Sequence, residues 1–324
     1  MSAPRYLALS GGVGGAKLAF GLTRILAAED LTLVVNTGDD FEHLGLAISP
    51  DIDTVAYTLS DLADRERGWG LAGETWNFMA SLRRLGGEDW FQLGDQDLAM
   101  HVERTRRLAA GETLSEVTAH LTRQLGLTHP IVPMSDQPVR TWIDTEAGPL
   151  AFQHYFVRER CAPIAKAVRF EGAADARPSP AFAAALARPD LTAILICPSN
   201  PYLSIDPILA IPGVREAIEK ANAPCVAVSP IIGGQAIKGP AAKLMSELGV
   251  TPGVTAVAAH YAGLIDGLIL DTVDAGDADA IQRLGVTPVV TATIMRSDED
   301  RIRLTRDALT FAATLANPAT ARAG

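Results

Sequence analysis

The sequence predicts an α/β protein, a three-layer sandwich around a mostly parallel sheet with an α+β elaboration inserted into it. Three observations carry this. Apolar runs of strand length alternate with patterns of helical period at both ends of the chain. Those runs are apolar throughout rather than at every second residue, as strands buried on both faces are. A glycine-rich turn separates the first run from the first helical pattern.

Tyr6-Leu7-Ala8-Leu9 reads as the first strand, Ser10 to Gly15 as the turn, Ala16 to Ala28 as a helix and Leu31 to Val35 as the second strand. A right-handed crossover joining two parallel strands opens a doubly wound, Rossmann-like sheet. The same grammar returns with strands at 193–196, 225–228, 267–270 and 287–290, and helices at 213–221, 241–248, 277–284 and 298–315. The middle differs. Helical patterns at 75–85, 96–110 and 113–125 precede β-like stretches at 150–157 and 165–170, and Pro178-Ser179-Pro180 marks re-entry to the core. The chain therefore divides into a core of residues 1–60 and 177–318, an inserted subdomain at 61–176 covering the site, and a frayed tail at 319–324.

The 324 residues are 48% hydrophobic and 20% charged, the balance of a well-packed globular protein. A net charge of -10 opposes binding to nucleic acid or to anionic membranes, so phosphate must be held by local devices: helix starts, a lysine, or a divalent cation on carboxylates. Cys161, Cys197 and Cys225 lack the paired spacing of a zinc site or disulfide framework and read as reduced thiols of a cytoplasmic protein. The apolar stretch Val254 to Leu270 is interrupted by His260 and Asp266 and is too short to span a bilayer. Met1 to Lys17 reaches the glycine turn too soon for a signal peptide.

Five segments could carry chemistry. In Ser10-Gly11-Gly12-Val13-Gly14-Gly15-Ala16-Lys17 the glycines let backbone N–H groups at a helix start approach a phosphate, although Ala16 and Leu18 break a Walker loop and Lys17 breaks the dinucleotide fingerprint. Asn36-Thr37-Gly38-Asp39-Asp40 and Ser49-Pro50-Asp51-Ile52-Asp53-Thr54 bring four carboxylates beyond the carboxyl ends of strands, where a capping role accounts for one Asp and magnesium or substrate for the cluster. Arg67-Gly68-Trp69-Gly70 with Trp76 offers flat faces for a planar ring, or ordinary packing. Pro198 to Ser204, after a strand, fits a base or ribose reader or a plain turn, and Ser229 to Pro240, again strand, loop and helix, repeats the phosphate-loop pattern with its glycines and Lys238. The six histidines show no metal-ligand spacing.

In this order, the motifs at 10–17, 36–40, 49–54, Leu-Gly-Asp-Gln-Asp at 93–97, Pro-Met-Ser-Asp at 133–136, Pro-Ser-Asn-Pro at 198–201 and the loop 229–240 resemble the 2-phospho-L-lactate transferase family, called CofD or FbiA. The resemblance covers nearly the whole chain. It implies a cytoplasmic, magnesium-dependent phosphotransferase, a homodimer, that moves a phosphorylated three-carbon acid from a guanosine diphospho-linked donor to the deazaflavin FO, making F-420-0 and GMP. It also implies roles. Asp51 and Asp53 would be catalytic; Asp53, Tyr57, Trp69, Gln92 and Asp95 would meet FO; Asp39, Asp40 and Asp53 would hold Mg2+. Gly11, Gly12, Gly14, Lys17, Ser199, Asn200, Ser204, Gly233 and Lys238 would hold the nucleotide. Gln92 and Gln96 stand where the family usually has basic residues. The acid, whether phospholactate, phosphoenolpyruvate or phosphoglycerate, is left open, and the alternative is a nucleotide-sugar-binding regulator of the gluconeogenesis-factor type.

Overall fold

Seven strands, all parallel, form the central sheet: β1 (Tyr6–Ser10), β2 (Leu31–Val35), β3 (Ile131–Pro133), β4 (Ala193–Ile196), β5 (Cys225–Val228), β6 (Gly267–Leu270) and β7 (Thr287–Val290). A computed structural model describes residues 4–237 and 239–316. Spatial order is β7-β6-β5-β4-β1-β2-β3, so the chain starts in the middle, runs to one edge, and restarts at β4 on the other side of β1. Tyr6 of β1 lies opposite both Leu31 and Ala193. The carboxyl ends of β1 and β4 therefore diverge into loops that leave in opposite directions, which opens a crevice there.

Successive residues feed two cores. Leu7, Leu9, Ile194 and Ile196 point to one face, and Ala8, Ala193 and Leu195 to the other. The second face is covered by α1 (Gly12–Ile25), α2 (Pro50–Leu59) and the helix Asp298–Ala316, while the first packs on Pro180–Leu186, Val254–His260 and Ala278–Arg283. Helices α3 (Asn77–Arg84), α4 (Asp95–Ala109) and α5 (Leu114–Gln124) follow α2. A three-stranded antiparallel sheet, with Arg140–Thr145 between Gly148–Ala151 and Ala165–Glu171, completes the elaboration.

Three expectations change. The helix begins at Gly12 rather than Ala16, so most of the glycine turn is the first turn of α1. Residues 61–176 are not wholly peripheral, because β3 within them pairs with β2 as the sheet's edge strand. The β-like stretch 150–157 stops at Ala151, and His154–Arg158 coils into a π-turn. A coil places Phe152 and Tyr155 on one side, where both are buried with Ile143, Leu203 and Leu244, a packing that an extended chain could not give both residues. The 319–324 tail lies outside the described residues. Among the described residues no helix is long and apolar enough to cross a membrane.

Candidate active site

Loops following β1, β2, β4, β5 and β7 meet at the crevice and enclose a cavity of about 1060 Å³. The glycine loop is clamped to the loop after β4. Ser199 Oγ accepts from Gly11 N at 3.0 Å and donates to Gly11 O at 2.8 Å. A β-carbon on Gly14 would collide with the Pro198 carbonyl, so this glycine is required by loop-to-loop packing as well as by any ligand. Gly12, at φ +63°, has more room, and a β-carbon there would make only ordinary contact with Asp51 Oδ1 at 3.9 Å and Ser204 Oγ at 4.0 Å. Lys17 Nζ donates to Met295 O at 2.9 Å.

The carboxylates form two groups of opposite character. In the first, Asn36 is the organiser: Nδ2 lies 3.1 Å from Asp39 Oδ1, 3.0 Å from Asp51 Oδ2 and 3.2 Å from Leu203 O, and Oδ1 accepts from Gly38 N at 2.8 Å. Ser49, which precedes α2, gives its hydroxyl to Asp40 Oδ2 at 2.8 Å rather than capping the helix. Asp51 and Asp53 then sit in the first turn of α2, where the helix dipole favours them. Burial, and the nearby Asp51, push Asp39 well above the ordinary carboxylate range. Burial raises Asp51 to about 6, opposed by hydrogen bonds from Asn36 and the Gly12 N–H. Asp40 rises to about 7 through burial, opposed by Arg140, Ser49 and Arg104, and its Oδ1 is buried without a partner.

The second group carries its own counter-charge. Arg104 on α4, 1% exposed, grips both oxygens of Asp53, with Nη1 3.0 Å from Oδ2 and Nη2 on Oδ1. His101 Nδ1 lies 3.7 Å from Asp53 Oδ2 and its Nε2 3.3 Å from Asp97 Oδ2. The Tyr57 hydroxyl donates to Asp97 Oδ1 at 2.5 Å. Burial still leaves Asp53 raised despite Arg104. Burial also acts to raise Asp97, yet the bonds from His101 and Tyr57 outweigh it and hold that carboxyl below its ordinary range. Asp53, Asp97 and His101 are close enough together to share a metal ion. The guanidinium already seated on Asp53 opposes a second cation there.

Of the residues singled out from the sequence, Gly11, Gly12, Gly14, Lys17, Asp39, Asp51, Asp53, Tyr57, Trp69, Gln92, Ser199, Asn200 and Ser204 line the cavity. Others do not. Asp40 lies behind the wall, bonded to Ser49. Asp95 caps the start of α3, accepting from Asn77 N at 3.1 Å, Phe78 N at 2.9 Å and Thr75 Oγ1 at 2.5 Å. Gly233 gives its N–H to Asp274 at 3.0 Å, which removes that donor from a phosphate. Lys238 lies outside the described residues. Gln92 reaches the cavity, but its Nε2 donates to Asp89 O at 2.6 Å, and Gln96 Nε2 donates to Gly73 O at 3.1 Å, away from the cavity. The Arg67 guanidinium lies 5.1 Å over Trp69 and 4.7 Å over Trp76.

Sequence reasoning missed Asp97, His101 and Arg104. Their spacing of i, i+4 and i+7 on one predicted helix was the available signal. It also missed the aromatic wall of Phe152 and Phe156, stacked at 5.4 Å between ring centroids.

The profile of the family described as 2-phospho-L-lactate transferase CofD matches residues 7–306. The chain belongs to that transferase family. A phosphoenolpyruvate transferase of Streptomyces coelicolor is 40% identical over 314 residues, covering 95% of this chain and 98% of that one. A 2-phospho-L-lactate transferase of Methanosarcina mazei is 40% identical over 290 residues, covering 90% and 94%. Among solved structures, a member of the UPF0052 family from Bacillus halodurans superposes with a TM-score of 0.62 at 15% identity, covering 95% of this chain and 99% of the other, a likeness of fold. With the family shown, the seven motifs that resemble it are seen to converge unevenly: the glycine loop, the 36–40 and 49–54 segments and the 198–204 loop share one cavity, whereas Asp95 of the 93–97 motif builds the helix pair beside it.

Proposed function

We propose that this family member transfers 2-phospholactate, phosphoenolpyruvate or 3-phosphoglycerate from its guanosine diphospho-linked donor to the terminal hydroxyl of FO, giving F-420-0, or its dehydro or glyceryl form, and GMP. The observation that carries the reading is the placement of under-compensated carboxylates between a glycine-rich helix start and an aromatic wall, in one cavity. The helix start supplies N–H donors and the positive dipole end for a diphosphate, and the aromatic rings supply a face for a planar acceptor. The same reading takes the working unit to be a cytoplasmic homodimer.

The residues present fit magnesium. Asp39 and Asp51 face the cavity and offer only oxygen, and burial opposes their charge with hydrogen bonds alone set against it. Asp39, on the cavity wall, would hold the ion directly or through its waters, whereas Asp40 lies behind the wall and Asp53 is committed to Arg104. When bound, magnesium neutralises the diphosphate and stabilises charge on the leaving phosphate.

In the reaction the FO hydroxyl attacks the phosphorus that carries the acid, and the bond from that phosphorus to the oxygen of GMP breaks. Asp53, held rigidly by Arg104 and flanked by His101, accepts a hydrogen bond from the hydroxyl and orients it. Asp51 lacks such a clamp and, at about 6, takes up the hydroxyl proton. Relatives at the same 40% identity carry both donor names, so the assay must decide the acid. Purified protein is incubated with FO, Mg2+ and each guanosine diphospho-acid, and GMP and acidified FO are followed by mass spectrometry. Product from any donor supports the reading and names the acid; no product from all three, with tight UDP-sugar binding, replaces it with the regulator.

A further inference from the structure

A side pocket of about 110 Å³ opens off the main cavity between α1, α2, the 61–70 loop and the start of the helix Asp298–Ala316. The two spaces share Val13, Lys17, Thr54, Tyr57, the 68–70 turn and Arg296, so they are continuous. Cations dominate the walls. Lys17 of α1, Arg65 of the 61–70 loop, and Arg296 and Arg301 at the start of the last helix come from three separate segments and converge here.

The carboxylates nearby are already shared. Asp298 pairs with Arg301 Nη1 and with Arg65 Nη2, each at 3.1 Å. Asp61 divides itself between Arg24 at 2.8 Å and Arg65 at 3.0 Å. Asp64 Oδ1 turns to the backbone N–H groups of Glu66 and Arg67. Among the described residues, no carboxylate pairs with the Arg296 guanidinium. Arg301 is the telling group. Its side chain is 7% exposed and its Nε is buried without a hydrogen-bond partner. Burial and Arg65 draw its basicity down against Asp298. A pocket with more cations than carboxylates, with Arg296 exposed at its mouth and no acidic partner on it among the described residues, is completed by an anion.

We propose that this pocket is an anion subsite that receives the carboxylate of the transferred three-carbon acid. The assignment rests on the transferase reading above and follows from position. The pocket borders the start of α1 on one side, where the diphosphate would lie, and Tyr57 and Trp69 on the other, beside the acceptor. The acid is the portion of the donor that stands between them. All three acids carry a carboxylate, so one cationic subsite serves any of them, and its bidentate guanidinium fits a planar carboxylate.

The test measures binding of GDP, of guanosine diphospho-linked lactate and of the methyl ester of that lactate, in the wild type, Arg296→Gln and Arg301→Lys. Arg296 is exposed, so its variant keeps the test alive if the Arg301 change disturbs the packing on Phe20. The expected result is at least about a tenfold loss for the linked lactate in the variants, with GDP within twofold. The ester binds the wild type weakly and the variants equally so. An equal loss for GDP and the lactate makes the pocket a phosphate site, and no loss for either removes it; both overturn the proposal. A wild type that binds no guanosine ligand removes the transferase reading, and the subsite with it.

Discussion

Asp40 offers the most direct test of the electrostatics. Its carboxyl is raised from an ordinary 3.8 to about 7, chiefly by burial. A group whose acidity is weaker in the folded state stabilises the fold below its unfolded value, and that contribution is lost as pH rises through about 7. At about 1.4 kcal/mol per tenfold change in proton affinity, the ionised form costs roughly 4 kcal/mol at pH 8. Asp40→Asn removes the titration and keeps an oxygen for the Ser49 hydroxyl. The new amide would also set an N–H where Oδ1 has no partner, a cost that does not depend on pH. The decisive quantity is thus how the difference between variant and wild type changes with pH. Between pH 5 and pH 8 the variant should gain roughly 2–3 kcal/mol relative to wild type. Urea unfolding of both proteins at the two pH values, without divalent ions, measures it. A difference that stays flat, or one that moves against the variant, refutes the uncompensated carboxylate.

Arg104→Gln leaves Asp53 buried without its partner and should cost about 3–5 kcal/mol, largely recovered in the Asp53→Asn/Arg104→Gln pair; additive losses in a double-mutant cycle would show the pair is not coupled. Gly14→Ala drives a methyl into the Pro198 carbonyl and should cost about 1–3 kcal/mol while weakening GDP binding, and wild-type affinity by calorimetry would refute the close approach. Asp95→Ala should loosen the start of α3 and speed amide exchange at Asn77 and Phe78 with little change in the KM for FO, since Asp95 faces those amides and not the cavity. A large rise in that KM with unchanged exchange would restore Asp95 to the substrate.

The legible part of the fold was the part with a continuous apolar signal. Strands β4 to β6 fall on their expected residues because parallel strands covered on both faces carry no alternation to mislead, and β7, a half-exposed edge strand, was found by its short apolar run. Strand β3 escaped notice because it has three residues and ends in Pro133, which cannot donate to a ladder and is tolerated at an edge. The glycine and aspartate loops were visible because their composition is costly in any other role. Arg104 was invisible for the opposite reason. An arginine on an amphipathic helix ordinarily faces water, and only the docking of α4 beside α2 buries it against Asp53.

That docking divides the labour among four aspartates that look interchangeable in sequence. Asp53 receives a rigid guanidinium from the elaboration, so its charge is neutralised before any ligand arrives and its geometry is fixed. Asp39 and Asp51 receive hydrogen-bond donors, from Asn36 and Gly12, which orient them without cancelling their charge, and the charges of Arg140 and Arg104 with the Ser49 hydroxyl fall short of offsetting the burial of Asp40. The second arrangement is unfavourable to the empty protein and favourable to one holding a divalent cation, because the cation supplies the counter-charge that the fold withholds. A site meant only to be stable would have paired all four; leaving three short of charge ties the strength of the cluster to the arrival of a cation.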